Sequence, residues 1–485
     1  VKTLKTQDVI VGSGAGGGVL AHRLARAGRA VVLVEEGPEV GKADFTQRED
    51  AMFSLLHRDA GGQATVDGAV AVLQGRCLGG STTINMGDCV PISDGVLDHW
   101  RAHFGWGTWG GITNADVHAA AAATMADMGA GAIPESLVNR ANDLLRQGSR
   151  ALGMKGHVLD HNRVGCIGAG YCTIGCAYDA KRGTLVAHIP AAREAGCELL
   201  CDALVDRVIL DGSRAVGVEG PGFRVDAERV FLCAGAIHTC GILHRSGHSG
   251  DAVGANLSLQ PQSPLVAVFP DEVVFFRGVP QSYAVTEQLT ATEAGGLGGF
   301  TLEGVATGPA MASSMIPGTM AELNALMARY RNMAASLCLV PDRPGGRVVW
   351  GGRPRPTIKY THSADHQDRL RAAIKAAARC YLAAGAELIV PPSLGCPTMR
   401  SEADLVALDT MSMRASDLPM ISAHPQGSCR MAGEEHDSVV GLDFRVHGIE
   451  GAYVCDASLF PTTASTHTMV PVMSMAHLLA EQMLS

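Results

Sequence analysis

The 485-residue chain is 47% hydrophobic and 18% charged, apolar enough to bury a large core and long enough for two or three domains. A formal net charge of -9 with no basic run argues against nucleic-acid or anionic-membrane partners. No apolar stretch is long enough to span a bilayer, and the first strand-like run begins at Asp8, leaving no room for a signal peptide, so a soluble cytoplasmic protein is expected. The 59 glycines against 5% aromatics suit tight strand-to-helix turns and close backbone approaches to a ligand. Most of the 14 cysteines stand singly in apolar runs (Cys233, Cys338, Cys380, Cys455), as buried thiols in a reducing compartment do.

Residues 8–35 read as a buried strand, a glycine turn, an amphipathic helix ending near Gly28, and a second buried strand, Ala30 to Glu35. Gly12 makes the tight turn, Gly14 lets the backbone approach a pyrophosphate, and Gly17 lets helix and strand pack closely. The helix N-terminus then faces the phosphates. Glu35, 18 positions beyond Gly17, falls where an acidic side chain accepts hydrogen bonds from a ribose hydroxyl. The unit predicts a bound dinucleotide and leaves NAD or FAD open.

Gln74 to Gly87 adds paired glycines, Gly79 and Gly80, before the hydroxyl residues Ser81, Thr82 and Thr83, a turn whose amides can line a phosphate or a flavin edge. Residues 92–155 alternate helical patterns with glycine-rich turns, and the tryptophans around Phe104 to Trp109 read as packing residues. Short strand-like runs follow at 204–210, 215–219 and 229–233, as in a small sheet. From 258 to 415 strand-like runs (265–269, 281–285, 300–303, 347–350) mix with alanine-rich helices such as 365–384, which predicts an antiparallel sheet with helices on one face. Near the C-terminus, His424 and His467 stand among small residues and turn formers, where a ring can be aimed at a substrate. His22 and His477, on helical stretches, read as packing or surface residues.

Taken together, Gly12 to Gly17, Glu35-Glu36-Gly37, Gln74 to Gly87, Phe231 to Thr239, Val253 to Leu257 and the two histidine segments closely resemble the glucose-methanol-choline (GMC) family of FAD-dependent oxidoreductases. Ser422 to Met431 and a cysteine-rich segment look most like its long-chain-alcohol oxidase-like branch. The resemblance implies an α/β chain: a Rossmann-like FAD-binding domain (1–91, 156–257 and 416–485) interleaved with an antiparallel-sheet-plus-helices substrate domain (258–415), with 92–155 as a helical and loop insertion. It also implies that FAD is met by Gly12, Gly14, Ala15, Gly17, Glu35, Glu36, Arg76, Gly79, Gly80, Ser81, Asn85, Met86, Val205, Ala234, Gly235, Asp456, Ala457, Thr468, Met469 and Val470. Ile84 stands where some members carry a histidine bonded to FAD, so non-covalent FAD is expected. The helix after Thr468 would turn its positive end to the flavin's pyrimidine edge.

The family places a base at the position of His424 and its partner at that of His467, implying oxidation of an alcohol to an aldehyde or ketone by hydride transfer to flavin N5, with oxygen or another acceptor taking the electrons. A non-redox lyase of the cyanohydrin type on the same scaffold is a second reading. A third rests on Cys166, Cys172 and Cys176, spaced C-x5-C-x3-C, which resemble the three-iron, four-sulfur loop of certain sugar dehydrogenases in the family. Such a centre would pass electrons to a protein acceptor. Zinc at these cysteines would need a fourth ligand such as His161, and a plain glycine-cysteine loop over the flavin is the remaining alternative. The usual acidic residue and histidine before a proline are replaced by Leu259-Gln260-Pro261, so no substrate contact carries over there, and the substrate itself is left open.

Overall fold

The apolar run Val9-Ile10-Val11 forces the start of the chain into the core: all three side chains are buried, and the strand they end, Lys2–Val11, lies at the centre of a parallel array. The computed structural model describes residues 2–106, 110–286, 298–351, 355–414 and 416–485. Among these, a seven-stranded sheet runs in the order Glu198–Leu200, Val31–Val34, Lys2–Val11, Phe223–Leu232, Arg214–Gly220, Arg207–Asp211. Phe223–Leu232 is long enough to serve two partners. Its first half pairs antiparallel with Arg214–Gly220, and its second half pairs parallel with the seventh strand, Ala452–Val454. The first strand begins at Lys2 rather than Asp8, because Lys2 to Ala227-facing Thr6 pair with Phe223–Leu232 while staying partly exposed, so no apolar run marks them. Asp8, fully buried, is held by Arg229 (Nε to Oδ1 2.7 Å) and Arg29, which satisfies a charge that burial would otherwise penalise.

A second, mainly antiparallel sheet of eight described strands runs Val70–Val72, Met420–Ser422, Gln262–Val268, Met333–Leu339, Thr301–Val305, Tyr283–Val285, Gly156–Val158, with Leu388–Val390 also on Gln262–Val268. Met333–Leu339, buried throughout, lies between two strands and shows no alternation. The strand-like run at 347–350 is elsewhere: Arg347–Val349 pairs with Thr357–Lys359 as a separate two-stranded unit. Three strands in stretches expected on the cofactor side, Val70–Val72, Gly156–Val158 and Met420–Ser422, pair in this second sheet.

The helix Ala364–Ala383 starts at Ser363, whose side chain caps the His366 amide at 3.2 Å, and packs with Arg140–Ala151. Their approach is close enough that a Cβ on Gly148 would lie 1.7 Å from the Cys380 carbonyl oxygen. Trp100 and Trp106 are buried and donate to Thr462 Oγ1 (2.8 Å) and the Met431 carbonyl (3.2 Å), so they brace the two segments that carry His424 and His467. Trp109 lies outside the described residues. No helix among the described residues is long and apolar enough to cross a membrane.

Candidate active site

The glycine fingerprint folds as its spacing predicts. Gly12 has φ +98°, and a Cβ there would lie 2.4 Å from the Cys233 carbonyl oxygen. At Gly17 a Cβ would lie 1.8 Å from the Gly12 carbonyl oxygen, so this glycine sets the contact between the first helix, Ala15–Arg26, and its strand. A Cβ at Gly14 would meet no protein atom within 4 Å, because Gly14 faces a cavity. Gly14 caps the helix without a side-chain hydrogen bond, which leaves amides of the first turn for a ligand. The C-terminal helix, Met469–Leu484, points its likewise uncapped N-terminus, Thr468 and Met469, at the same cavity.

That cavity gathers residues remote in sequence. Of the expected cofactor contacts, Gly12, Gly14, Ala15, Glu35, Glu36, Gly80, Ser81, Asn85, Met86, Val205, Ala234, Gly235, Asp456, Ala457, Thr468 and Met469 line it, together with Ile84, His424 and His467. Gly17, Arg76, Gly79 and Val470 stand outside the lining. Gly79 ties the turn to Ser13 (N to Oγ 2.8 Å), Arg76 donates to Glu36 (3.0 Å), and Val470 is fully buried in its helix.

Glu35 accepts from Ser13 (N 3.0 Å, Oγ 2.6 Å) and the Gly37 amide (2.8 Å), so it holds the fingerprint loop from behind as well as lining the cavity. Burial raises the Glu36 carboxyl, but Arg58 and Arg76 outweigh it and bring it down to about 2. Arg58, His238 and Arg245 also line this end; His238 and Arg245 fall in segments that resemble the family, whereas no sequence motif marks Arg58. Asp456 Oδ2 accepts from the Gly235 amide (2.9 Å) and Thr239 Oγ1 (2.5 Å), locking the ends of two parallel strands together.

These surroundings fit FAD. A cradle of backbone that side chains would block, two uncapped helix ends, and buried polar atoms of Gln74 (Oε1), Asn85 (Oδ1) and His238 (Nε2) without a protein partner all face one elongated space. Lys181, buried, clamps that space from outside, donating to the carbonyls of Thr83 (2.8 Å), Asn85 (2.6 Å) and Cys172 (2.6 Å); burial lowers its ammonium to about 8.

The two histidines meet edge to face, with ring centroids 5.1 Å apart and planes at 84°. Ser422, whose hydroxyl donates to the Leu259 carbonyl, and the strand Met420–Ser422 fix the segment that presents His424. His424 Nδ1 lies 3.2 Å from the Gln262 side-chain amide. Its burial and the positive charge of His467 lower it to about 3, so the ring is neutral. His467 is the reverse case. Burial alone would lower it, but the Glu303 carboxylate, whose oxygens lie 3.0 and 3.1 Å from Nε2, and Asp88 raise it to about 9. Gln281 donates to Glu303 at 2.9 Å, and His161 Nε2, neutral because burial lowers it to about 3, donates to the Gln281 carbonyl (3.1 Å) with Asp88 Oδ1 3.2 Å away. Glu303 was open to notice as the acid in an otherwise apolar strand, but no local pattern joins it to His467, 164 residues away.

The cysteine segment gives no support to an iron–sulfur centre. Cys166, Cys172 and Cys176 do not bring their sulfurs within 4.8 Å of one another, the spacing for one shared ion. The Cys172 sulfur accepts from Arg163 (3.2 Å) and the Cys166 sulfur from the Gly168 amide (3.4 Å). His161 is likewise engaged in the buried network rather than with the cysteines. Thr173 lines the cofactor cavity, and its carbonyl meets His57 Nε2 at 2.8 Å, so the segment contributes to the cavity wall.

The sequence profile described as GMC oxidoreductase matches residues 53–262 and 350–476, and a Rossmann-like NAD(P)-binding profile matches 10–65. An uncharacterised GMC-type oxidoreductase of Mycobacterium tuberculosis is 33% identical over 489 residues, covering 99% of this chain and 76% of that protein. The long-chain-alcohol oxidase FAO3 of Arabidopsis thaliana is 28% identical over 513 residues, covering 98% and 67%. Among solved structures, pyridoxine 4-oxidase from Mesorbium loti superposes with a TM-score of 0.72 at 19% identity, over 98% of this chain and 99% of that one, a likeness of fold. With a cradle that fits FAD and kinship over 99% of its own length, the chain belongs to the GMC oxidoreductase family and is an FAD-dependent oxidoreductase acting on CH–OH groups.

Proposed function

We propose that the protein oxidises an alcohol with an apolar body to its aldehyde or ketone, using His424 as the base, His467 as a cationic partner, non-covalent FAD and oxygen as the final acceptor. The observation that carries this reading is the unequal surroundings of two facing rings: His467 meets the Glu303 carboxylate and is cationic, whereas His424 meets only the Gln262 amide and is neutral. Bound FAD would supply the acceptor for the two electrons leaving the substrate carbon. Neutral His424 takes the hydroxyl proton at Nε2, which requires its own proton on Nδ1; the Gln262 amide, placed with Nε2 3.2 Å from Nδ1, accepts that proton through Oε1 after a half-turn of the amide. Cationic His467 then stabilises the negative oxygen, and Glu303 keeps it cationic.

Leu73, Met311, Leu337 and Ile421 line the cavity along with the histidines, which supports an apolar substrate body, as does the likeness to a long-chain-alcohol oxidase. The test is anaerobic mixing of the FAD-loaded protein with straight-chain primary alcohols, sterols, sugars and amino alcohols. Flavin bleaching that strengthens with apolar length is expected. Bleaching by sugars alone would overturn the apolar assignment, and no bleaching by any alcohol would favour the lyase reading.

A further inference from the structure

On the outer side of the first helix, away from the cofactor cavity, two histidines are buried without hydrogen-bond partners. His22 lies on Ala15–Arg26, and His188 lies where Thr184–Ala187 joins Ile189–Glu194; they are 7% and 0% exposed. All four of their ring nitrogens lack a partner. Their rings stand edge to face, with centroids 5.5 Å apart and planes at 72°. The exposed carboxylate of Asp127, at the end of Asn114–Asp127, approaches from the surface, with Oδ2 4.0 Å from His188 Nε2. One ligand atom from each of the three lies within 4.8 Å of the others, a grouping that no other set of three or more His, Cys, Asp or Glu forms among the described residues. None of the three lines the cofactor cavity.

Burying two imidazoles with every nitrogen unpaired is costly, because each loses its bonds to water and gains none. We propose that His22, His188 and Asp127 form a binding site for a divalent transition-metal cation of the zinc type, with a water in the fourth position on the exposed Asp127 side. Two neutral imidazoles and one carboxylate suit such a cation, whose bonds of about 2.0–2.1 Å set ligand atoms about 3.3 Å apart. From the 4.0 Å between Asp127 and His188, closing asks for a movement of about 0.7 Å, which an exposed aspartate rotamer supplies, and small ring rotations set the two imidazoles. Burial lowers both histidines, so they are neutral and ready to ligate without first releasing a proton. The guanidinium groups of Arg23, Arg26 and Arg182 lower them further and oppose a cation, but Arg23 is offset by Glu481 at 3.6 Å, which also accepts from His477 at 3.0 Å. The metal would pin together the fingerprint helix, the turn carrying His188 and the last turn of Asn114–Asp127, bracing the helix whose N-terminus faces the cofactor.

The full-length, FAD-loaded protein, stripped with a chelator and dialysed, is titrated with Zn²⁺, with Co²⁺ and, as a control, with Mg²⁺. The expected result is one equivalent of zinc per chain with a higher melting temperature, cobalt absorbance beyond the flavin bands, and no response to magnesium. Asp127→Asn should weaken zinc binding at least about tenfold and His22→Leu should abolish it, with flavin absorbance unchanged in both. Should His188→Leu fail to fold, the exposed Asp127 variant still decides, since it leaves the core alone. Absence of stoichiometric zinc, or zinc uptake equal to wild type in either Asp127→Asn or His22→Leu, overturns the site.

Discussion

The two ends of the cofactor cavity are built by different means. The dinucleotide end is made of backbone: a turn of glycines, the uncapped end of Ala15–Arg26, and the Gly235 and Gly80 turns, with acids such as Glu35 and Asp456 holding backbone from behind. The histidine end is made of side chains from remote segments, since His424 rests on Gln262, and His467 on Glu303, Gln281, Asp88 and His161. A backbone site is sensitive to added atoms wherever the glycines abut other backbone, as at Gly12 and Gly17, and its charge preference is fixed by helix ends that no pH change titrates. A side-chain site tolerates size changes better but depends on every partner's protonation.

The sharpest way to break this contrast is at the fingerprint. Gly17→Ala places a Cβ against the Gly12 carbonyl and should prevent accumulation of folded, yellow protein, read by expression yield and flavin absorbance. His424→Ala comes next. It should retain FAD yet slow anaerobic flavin reduction by about 10²–10⁴-fold, and a variant reduced at the wild-type rate would remove His424 from the mechanism.

Glu303→Gln tests the electrostatic side. His467 is cationic below about 9, so reduction by substrate should fall as pH rises through that value. With the carboxylate gone, the same fall should begin at lower pH, and an unmoved alkaline limb would show that Glu303 does not hold the charge. The linkage also reaches stability. The folded value of His467 is raised above the unfolded one near 6.5, so its contribution is complete below 6.5 and lost as pH rises through about 9, visible in melting temperatures across that window. The smallest effect is expected at Gly14→Ala, where the protein offers no clash: the apoprotein should melt as wild type while FAD binds about tenfold more weakly, and equal FAD affinity would mean that Gly14 does not approach the cofactor.

Residue order alone determined the dinucleotide unit, since Gly12, Gly14, Gly17 and Glu35 act within one strand-turn-helix-strand passage whose geometry is set by neighbours in the chain. The long helix near 364 was legible for the same reason, and buried strands such as Val31–Val34 were legible from their β-branched runs, while Met333–Leu339 was not, because its Met, Ala, Ser, Leu and Cys residues carry neither a period nor a β-branched or aromatic cluster. The glycine-cysteine spacing at 166–176 allowed an iron–sulfur loop, an ordinary loop or a zinc site; Arg163, the Gly168 amide and the position of Thr173 favour the ordinary loop. Only the tertiary structure decided that His467 faces Glu303 and Asp88 while His424 does not, and therefore that of two similar rings one is cationic and the other neutral. A protonation state depends on what burial brings within a few ångströms, and sequence distance carries no record of that.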